Sequence, residues 1–362
     1  MGSTKLLVVA ALAAIPSLVA VANEDVSVRI AKWKGDAKGA VSLYYDDGTD
    51  SSFRNAVPEL VRRGLPGTFY ICCGWYEGEN DPKLARWGTA AREHPDAIFL
   101  GDHTWTHGGV TNAAQFAGEI SRNGAMLRRL SGLPEDAPLS FAIPGVAGWK
   151  ISREELDKTL AEHHEVLRHR FEPNIGGPKD GTNPVFSMRT AADAAQAFNR
   201  AEAEGGWESL IFHGVGGDWI AFDLEEHGKM LDDLETRAKA DRLWVGSAID
   251  VHAYERIRET ARIKDVEISG EGLDFKVEGV SWRESRVKVG GSWHKAQIPG
   301  PTLVCAVPKD WTRARVRATR NLFGSAEMAK IAREGFVVPV AGGRLVFDLP
   351  VGWVGVSVRK AD

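Results

Sequence analysis

The sequence predicts an α/β core, a barrel or an open sheet, followed by a small all-β domain. From about residue 38 to 260, short apolar runs alternate with longer stretches of helical period. Residues able to do chemistry sit at the ends of those apolar runs, where such folds place their sites. After about residue 262 the pattern changes to short segments of alternating polarity with Gly or Pro turns. Repeated strand then helix implies parallel strands with right-handed crossovers. A chain of 362 residues, 43% hydrophobic and 26% charged, is long enough to bury a large core.

Each element has its own signal. Lys5, the apolar run 6–21 and the small-x-small triplet Ala20-Val21-Ala22 predict a signal peptide over 1–22, with a mature chain from near Asn23. Pro16 and the shortness of the run argue against a membrane anchor, and no Cys follows to carry a lipid. The mature protein is therefore expected to be secreted or periplasmic. Strands are expected at 40–45, 68–73, 98–101, 139–143, 164–168, 209–213 and 244–248. Helices are expected at 52–63, with Phe53, Val57, Leu60 and Val61 in phase, and at 113–130 behind a Thr111 or Asn112 cap. Further helices fall near 152–161, 190–204, 225–240 and 250–260. These make a first domain over 23–262. Segments at 266–268, 273–277, 286–289, 302–307, 313–318, 344–349 and 354–358 predict a β-sandwich over 263–362, either a carbohydrate-binding module or a stabilising appendage.

Composition narrows the function. The net charge is -4 and no basic stripe is interleaved with aromatics, so nucleic acid is not an expected partner. Twelve Trp residues supply indole faces that suit sugar rings, although most belong to the core in an ordinary globular chain. Three Cys, two of them adjacent at Cys72 and Cys73 and the third at Cys305, do not make a disulfide framework. His94, His163, His164, His227 and His252 lie in or beside polar helical stretches and read as solvated.

The chemistry concentrates in three places. Tyr45-Asp46-Asp47-Gly48 closes an apolar run, and Gly48 permits the turn that both carboxylates need to reach one cleft. In His103-Thr104-Trp105-Thr106-His107 the two His are four apart, a spacing that one helical turn would place on a single side. His213 closes a third apolar run. One carboxylate and two imidazoles hold a borderline divalent cation with a position left open, and the second carboxylate is then free to move protons.

Tyr44-Tyr45-Asp46-Asp47-Gly48, the His103 to His107 motif, Leu210-Ile211-Phe212-His213 and Gly64-Leu65-Pro66-Gly67-Thr68-Phe69-Tyr70 together resemble the polysaccharide deacetylases of the NodB-homology type, carbohydrate esterase family 4. The resemblance spans roughly residues 38–255. It implies a distorted (β/α) barrel, a metal held by Asp47, His103 and His107, and Asp46 as general base. His213 would be the acid that protonates the leaving group, and an acetylated glycan the substrate, with N- and O-acetyl both open. Zinc is the expected metal, with Co2+, Ni2+ or Mn2+ compatible. Trp105, Pro144, Asp218 and Trp219 are the candidates for contacting substrate. One departure stands out: many members carry an Arg in the third motif, orienting the base, where this chain has Ala142. Arg168, Arg170 and Arg189 flank the Gly/Pro-rich loop 171–184 and could replace it, though each reads first as surface charge. The alternatives are a hydrolase of a non-sugar amide on the same scaffold, a glycan-binding protein with a degenerate site, and a metal-stabilised structural module.

Overall fold

The computed structural model describes residues 27–168, 188–269, 272–279, 288–289, 292–293, 300–321, 334–349 and 353–362. The expected signal peptide, Arg170 and the loop 171–184 lie outside these residues. The first strand, β1 (Val28–Ile30), belongs to a C-terminal sheet. There follow β2 (Gly39–Tyr45), α1 (Asp50–Arg63), β3 (Gly67–Ile71), α2 (Pro82–Glu93), β4 (Ile98–Asp102), α3 (Ala113–Ser131), β5 (Leu139–Phe141), α4 (Arg153–Glu162) and β6 (Glu165–Leu167). Then come α5 (Ala191–Glu204), β7 (Trp207–Phe212), α6 (Leu224–Lys239), β8 (Leu243–Val245) and α7 (Ala248–Thr260).

Strands β2 to β8 form a parallel sheet in the order β6-β5-β4-β3-β2-β7, with β8 also on β2. β7 runs along β2 from Ala40 to Tyr45, so β3 and β8 must share the other edge. β3 takes Leu43 to Tyr45 and β8 takes Gly39 to Val41. This wedge distorts the barrel, and among the described residues β6 pairs with no strand beyond β5. The result is a half-barrel. All seven residues of β2 are buried, as expected of a strand covered on both faces. Tyr44 points inward to Tyr70, Ala142 and Ile211, while Tyr45 points outward and stacks on Phe69 and Phe212.

The helices start and stop where their local chemistry says. Thr49 accepts from Ser52 N at the start of α1, Asn112 from Gln115 N at the start of α3, and Gly64 and Gly132 end those helices in the left-handed conformation. Helix α2 has no counterpart among the expected elements. Asp81 caps it, Pro82 opens it, and Leu84, Trp87, Gly88, Ala90 and Ala91 form its buried face. Gly88 is there for space, since a Cβ would lie 2.7 Å from the Leu130 carbonyl oxygen on α3. His227 corrects another expectation. It is 1% exposed, because His227, Met230, Leu231 and Leu234 form the inner stripe of α6, and its Nε2 pairs with Tyr45 Oη at 2.9 Å.

The C-terminal strands are β9 (Arg262–Ser269), β10 (Gly272–Glu278), β11 (Lys288–Val289), β12 (Ser292–Trp293), β13 (Thr302–Ala306), β14 (Arg313–Asn321), β15 (Phe336–Ala341), β16 (Arg344–Asp348) and β17 (Trp353–Lys360). Eight strands make one antiparallel path, β1-β13-β16-β15-β14-β17-β10-β9. β15, absent from the sequence expectation, joins its halves: residues Phe336 to Pro339 pair with β14, and Val340 and Ala341 pair with β16. Both halves bury side chains in one core that includes Leu273, Phe275, Leu303, Val316, Leu345 and Val358. Helix α7 meets the C-terminal sheet where Tyr254 Oη donates to Ala31 O (3.0 Å) and accepts from Thr302 N (3.4 Å).

Candidate active site

Every element of the site leaves the C-terminal end of a parallel strand. β2 delivers Asp46 and Asp47, β4 delivers His103 and His107, β6 delivers Arg168, and β7 delivers His213. The turn after β2 begins at Asp47 itself (φ 70°) and continues through Gly48 (φ 57°), which brings both carboxylates to the same end of the sheet.

The His pair reaches the site by a different route from the helical turn expected. Residues 103–107 form a bend, with Thr104 (φ 63°) and His107 (φ 60°) in the left-handed region. Two side-chain bonds hold it. Thr104 N donates to Asp102 Oδ1 (2.7 Å), and His107 N donates to Thr104 Oγ1 (2.9 Å). Beneath it Asn123, from the middle of α3, accepts from Cys73 N (2.9 Å) and donates to Ile71 O (2.8 Å) and Asp102 Oδ1 (2.9 Å). Asn123 thus ties the ends of β3 and β4 together. Burial, opposed by hydrogen bonds from Asn123 and Thr104, pushes the Asp102 carboxyl up to about 7.

Asp47, His103 and His107 bring one ligand atom each to within 4.8 Å of one another. His103 Nε2 and His107 Nε2 lie 3.3 and 3.2 Å from Asp47 Oδ1, yet that buried oxygen has no hydrogen-bond partner. His103 Nδ1 lies 2.9 Å from Ala142 O, an acceptor only, so Nδ1 carries the proton and a neutral His103 turns a bare Nε2 lone pair toward the carboxylate. Lone pair facing lone pair is unfavourable unless a cation lies between. The donor set therefore fits a divalent metal.

Asp46 is 3% exposed and receives Arg168 Nη1 at 2.5 Å. Burial raises its carboxyl, while the Arg168 guanidinium outweighs burial and holds it below the usual range. Arg168 is 3% exposed and lies 5.0 Å above the Tyr70 ring, so it is not surface charge. Arg168 follows β6, whereas Ala142 follows β5, one strand away in the sheet. Ala142 contributes its backbone carbonyl to His103. Arg189 is exposed at the start of α5.

His213 Nε2 lies 3.8 Å from Asp47 Oδ2, and its Nδ1 is buried without a hydrogen-bond partner among the described residues. Trp219 Nε1 donates to Asp47 Oδ2 at 2.6 Å, and Asp218 Oδ2 accepts from Ser51 N at 2.6 Å. Pro144 is buried in the loop after β5. The Trp105 ring carries the Arg122 guanidinium at 3.8 Å. The exposed indoles at the rim are Trp219 (48%) and Trp75 (46%), set edge to face at 6.4 Å. Trp75 was not among the expected site residues, and it stands 5.2 Å from the His107 ring.

Fold and site define an α/β half-barrel with a candidate Asp-His-His metal centre at the strand ends. Residues 34–170 match the family model described as polysaccharide deacetylase, so this part of the chain is similar to that family. The match includes Asp46, Asp47, His103, His107 and Arg168; His213 and Trp219 lie beyond it. Among solved structures, a family 4 carbohydrate esterase from Streptomyces lividans is 21% identical, covering 60% of this chain and 95% of that one with a TM-score of 0.40. The peptidoglycan deacetylase PdaC from Bacillus subtilis is 12% identical, covering 61% and 94% with a TM-score of 0.39. A polysaccharide deacetylase from Bacillus cereus is 12% identical, covering 58% and 91% with a TM-score of 0.38. No curated protein matches the chain.

Proposed function

We propose that the mature chain, from near Asn23, removes N- or O-linked acetyl groups from an extracytoplasmic polysaccharide or oligosaccharide in a metal-dependent hydrolysis. The observation that carries this reading is the buried, unpartnered Asp47 Oδ1 facing two imidazole nitrogens beside a second carboxylate that Arg168 keeps ionised. Asp47, His103 and His107 would hold the metal, zinc by default for this donor set. A divalent ion there would polarise the acetyl carbonyl and make water a better nucleophile at neutral pH. Asp46, ionised and fixed in direction, takes a proton from the attacking water. His213 returns a proton to the leaving amine or alcohol oxygen, a task suited to an imidazole near neutral pH. Metal-ligand Asp47 is unsuited to be that base, because Oδ1 would be committed to the ion and Oδ2 accepts the Trp219 indole N–H.

Trp219 and Trp75 offer open ring faces for a sugar at the rim, with Trp105, Pro144 and Asp218 as neighbours of that wall. The division into a catalytic unit over 23–262 and a β unit over 263–362 belongs to the same proposal, supported by the separate cores of the two sheets, except that β1 (Val28–Ile30) pairs with β13 and packs on the core of the β unit. No helix among the described residues is long and apolar enough to cross a membrane.

The test is acetate release from a panel of N- and O-acetylated oligosaccharides by metal-loaded, chelated and Asp46→Asn protein. Release that requires both metal and Asp46 is expected. A folded, metal-loaded protein that binds the sugars and releases no acetate would favour the glycan-binding alternative, for which the unpartnered His213 Nδ1 is the relevant observation.

A further inference from the structure

Side chains in the first two turns of α1 hold the loop after His213 by hydrogen bonds. Ser51 Oγ donates to Gly217 O (2.8 Å) and accepts from Val215 N (3.2 Å), and Asn55 Nδ2 donates to Val215 O (2.7 Å). Asp218, in the left-handed region at φ 58°, turns its carboxylate onto Ser51 N at 2.6 Å. Gly214 leaves no room for adjustment, since a Cβ there would fall 1.9 Å from Gly217 O. The product of this bracing is one contact: the Trp219 indole N–H on Asp47 Oδ2 at 2.6 Å.

We propose that Trp219 is a positioning residue for the metal centre, its indole N–H holding the outer oxygen of Asp47 so that Oδ1 alone faces the ion, with Asp218 as the latch that keeps the indole in place. The inference rests on the metal-dependent reading above. Its logic is that a carboxylate with one oxygen tied to a fixed donor binds a cation through the other, which leaves the remaining positions for water and the acetyl oxygen. The same bond has a second effect. The other group near Asp47 Oδ2 is His213 Nε2, 3.8 Å away, and an occupied Oδ2 has less pull on that imidazole. The Trp219 ring, 48% exposed, is free to meet the sugar.

The experiment uses the full mature chain, stripped of metal and titrated with Co2+ against a chelating dye, with the visible absorption of the Co2+ form recorded alongside. Trp219→Phe keeps a ring and removes the N–H; Asp218→Ala keeps the indole and releases the latch. Trp219→Phe is expected to bind Co2+ about 10- to 100-fold more weakly, the range typical of losing an outer-shell partner. Its absorption band should weaken as Asp47 becomes free to bind through both oxygens, and Asp218→Ala should move both readouts the same way. Two folded variants with wild-type affinity and band would overturn the proposal. Wild-type protein that takes up no Co2+ would overturn the metal reading itself, and this inference with it.

Discussion

Arg168 Nη1 donates to Asp46 Oδ1 at 2.5 Å between side chains that are 1% and 5% exposed. A buried pair of this kind is costly to break, because the surviving charge is left without water or partner, typically by about 3–5 kcal/mol. Its value here is electrostatic, since it keeps a deeply buried carboxylate ionised.

That relationship predicts a pH effect. With Arg168→Met, burial acts on Asp46 with less opposition and its pKa rises. A general base works only when deprotonated, so the acidic limb of the kcat/KM profile should move to higher pH, with partial recovery in Arg168→Lys. An unshifted acidic limb in a folded Arg168→Met variant would remove Arg168 from this role.

Metal content separates the ligands from the base. His103→Ala should purify depleted in metal, while Asp46→Asn should keep it and lose about 10²- to 10⁴-fold in rate. Elemental analysis of the two proteins checks this; full occupancy in His103→Ala would take His103 off the ligand set.

Asn123 makes three buried hydrogen bonds that join the ends of β3 and β4 under the His motif. Asn123→Ala leaves Cys73 N, Ile71 O and Asp102 Oδ1 each short of a partner, and the cost should be roughly 2–4 kcal/mol on the scale of unsatisfied buried groups. Metal affinity should fall with it. Urea unfolding of the metal-free protein gives the first quantity, and Co2+ titration the second.

His227 predicts a stability that depends on pH. Burial holds its imidazole down at about 4, against 6.5 unfolded. The folded state therefore takes up its proton later than the unfolded state. Its contribution is complete above pH 6.5 and is lost as pH falls from 6.5 towards 4, by roughly 3 kcal/mol in all. His227→Gln, still able to bond Tyr45 Oη, should flatten the unfolding free energy over that window; an unchanged slope would assign the effect elsewhere.

The sequence showed most of what is local. Strand and helix periods placed nearly every element of the parallel sheet within a few residues, and Asp46, Asp47, His103, His107 and His213 could be named because unusual residue types ended apolar runs. Helix α2 was not expected, although its Asp81 cap, Pro82 and the buried stripe of Leu84, Trp87 and Ala91 are written in the sequence. His227 escaped although it lies in phase with Met230, Leu231 and Leu234, because a polar residue type was weighed above its position.

What the sequence determined by itself is the donor set, since residue type and order along the chain fix which groups can bind a metal or move a proton. Tertiary structure decided which groups meet. Arg168 comes from a different strand than Ala142, Asn123 from a helix interior, and Trp75 and Trp219 from loops 144 residues apart in numbering. Their distances to Asp46, Asp102, His107 and Asp47 are set by how parallel strands stack side by side, and hydrophobic period carries no record of that lateral order. The bend at His103 to His107 shows the same limit: a spacing of four suits a helix, and side-chain bonds from Asp102 and Thr104 made it a left-handed turn.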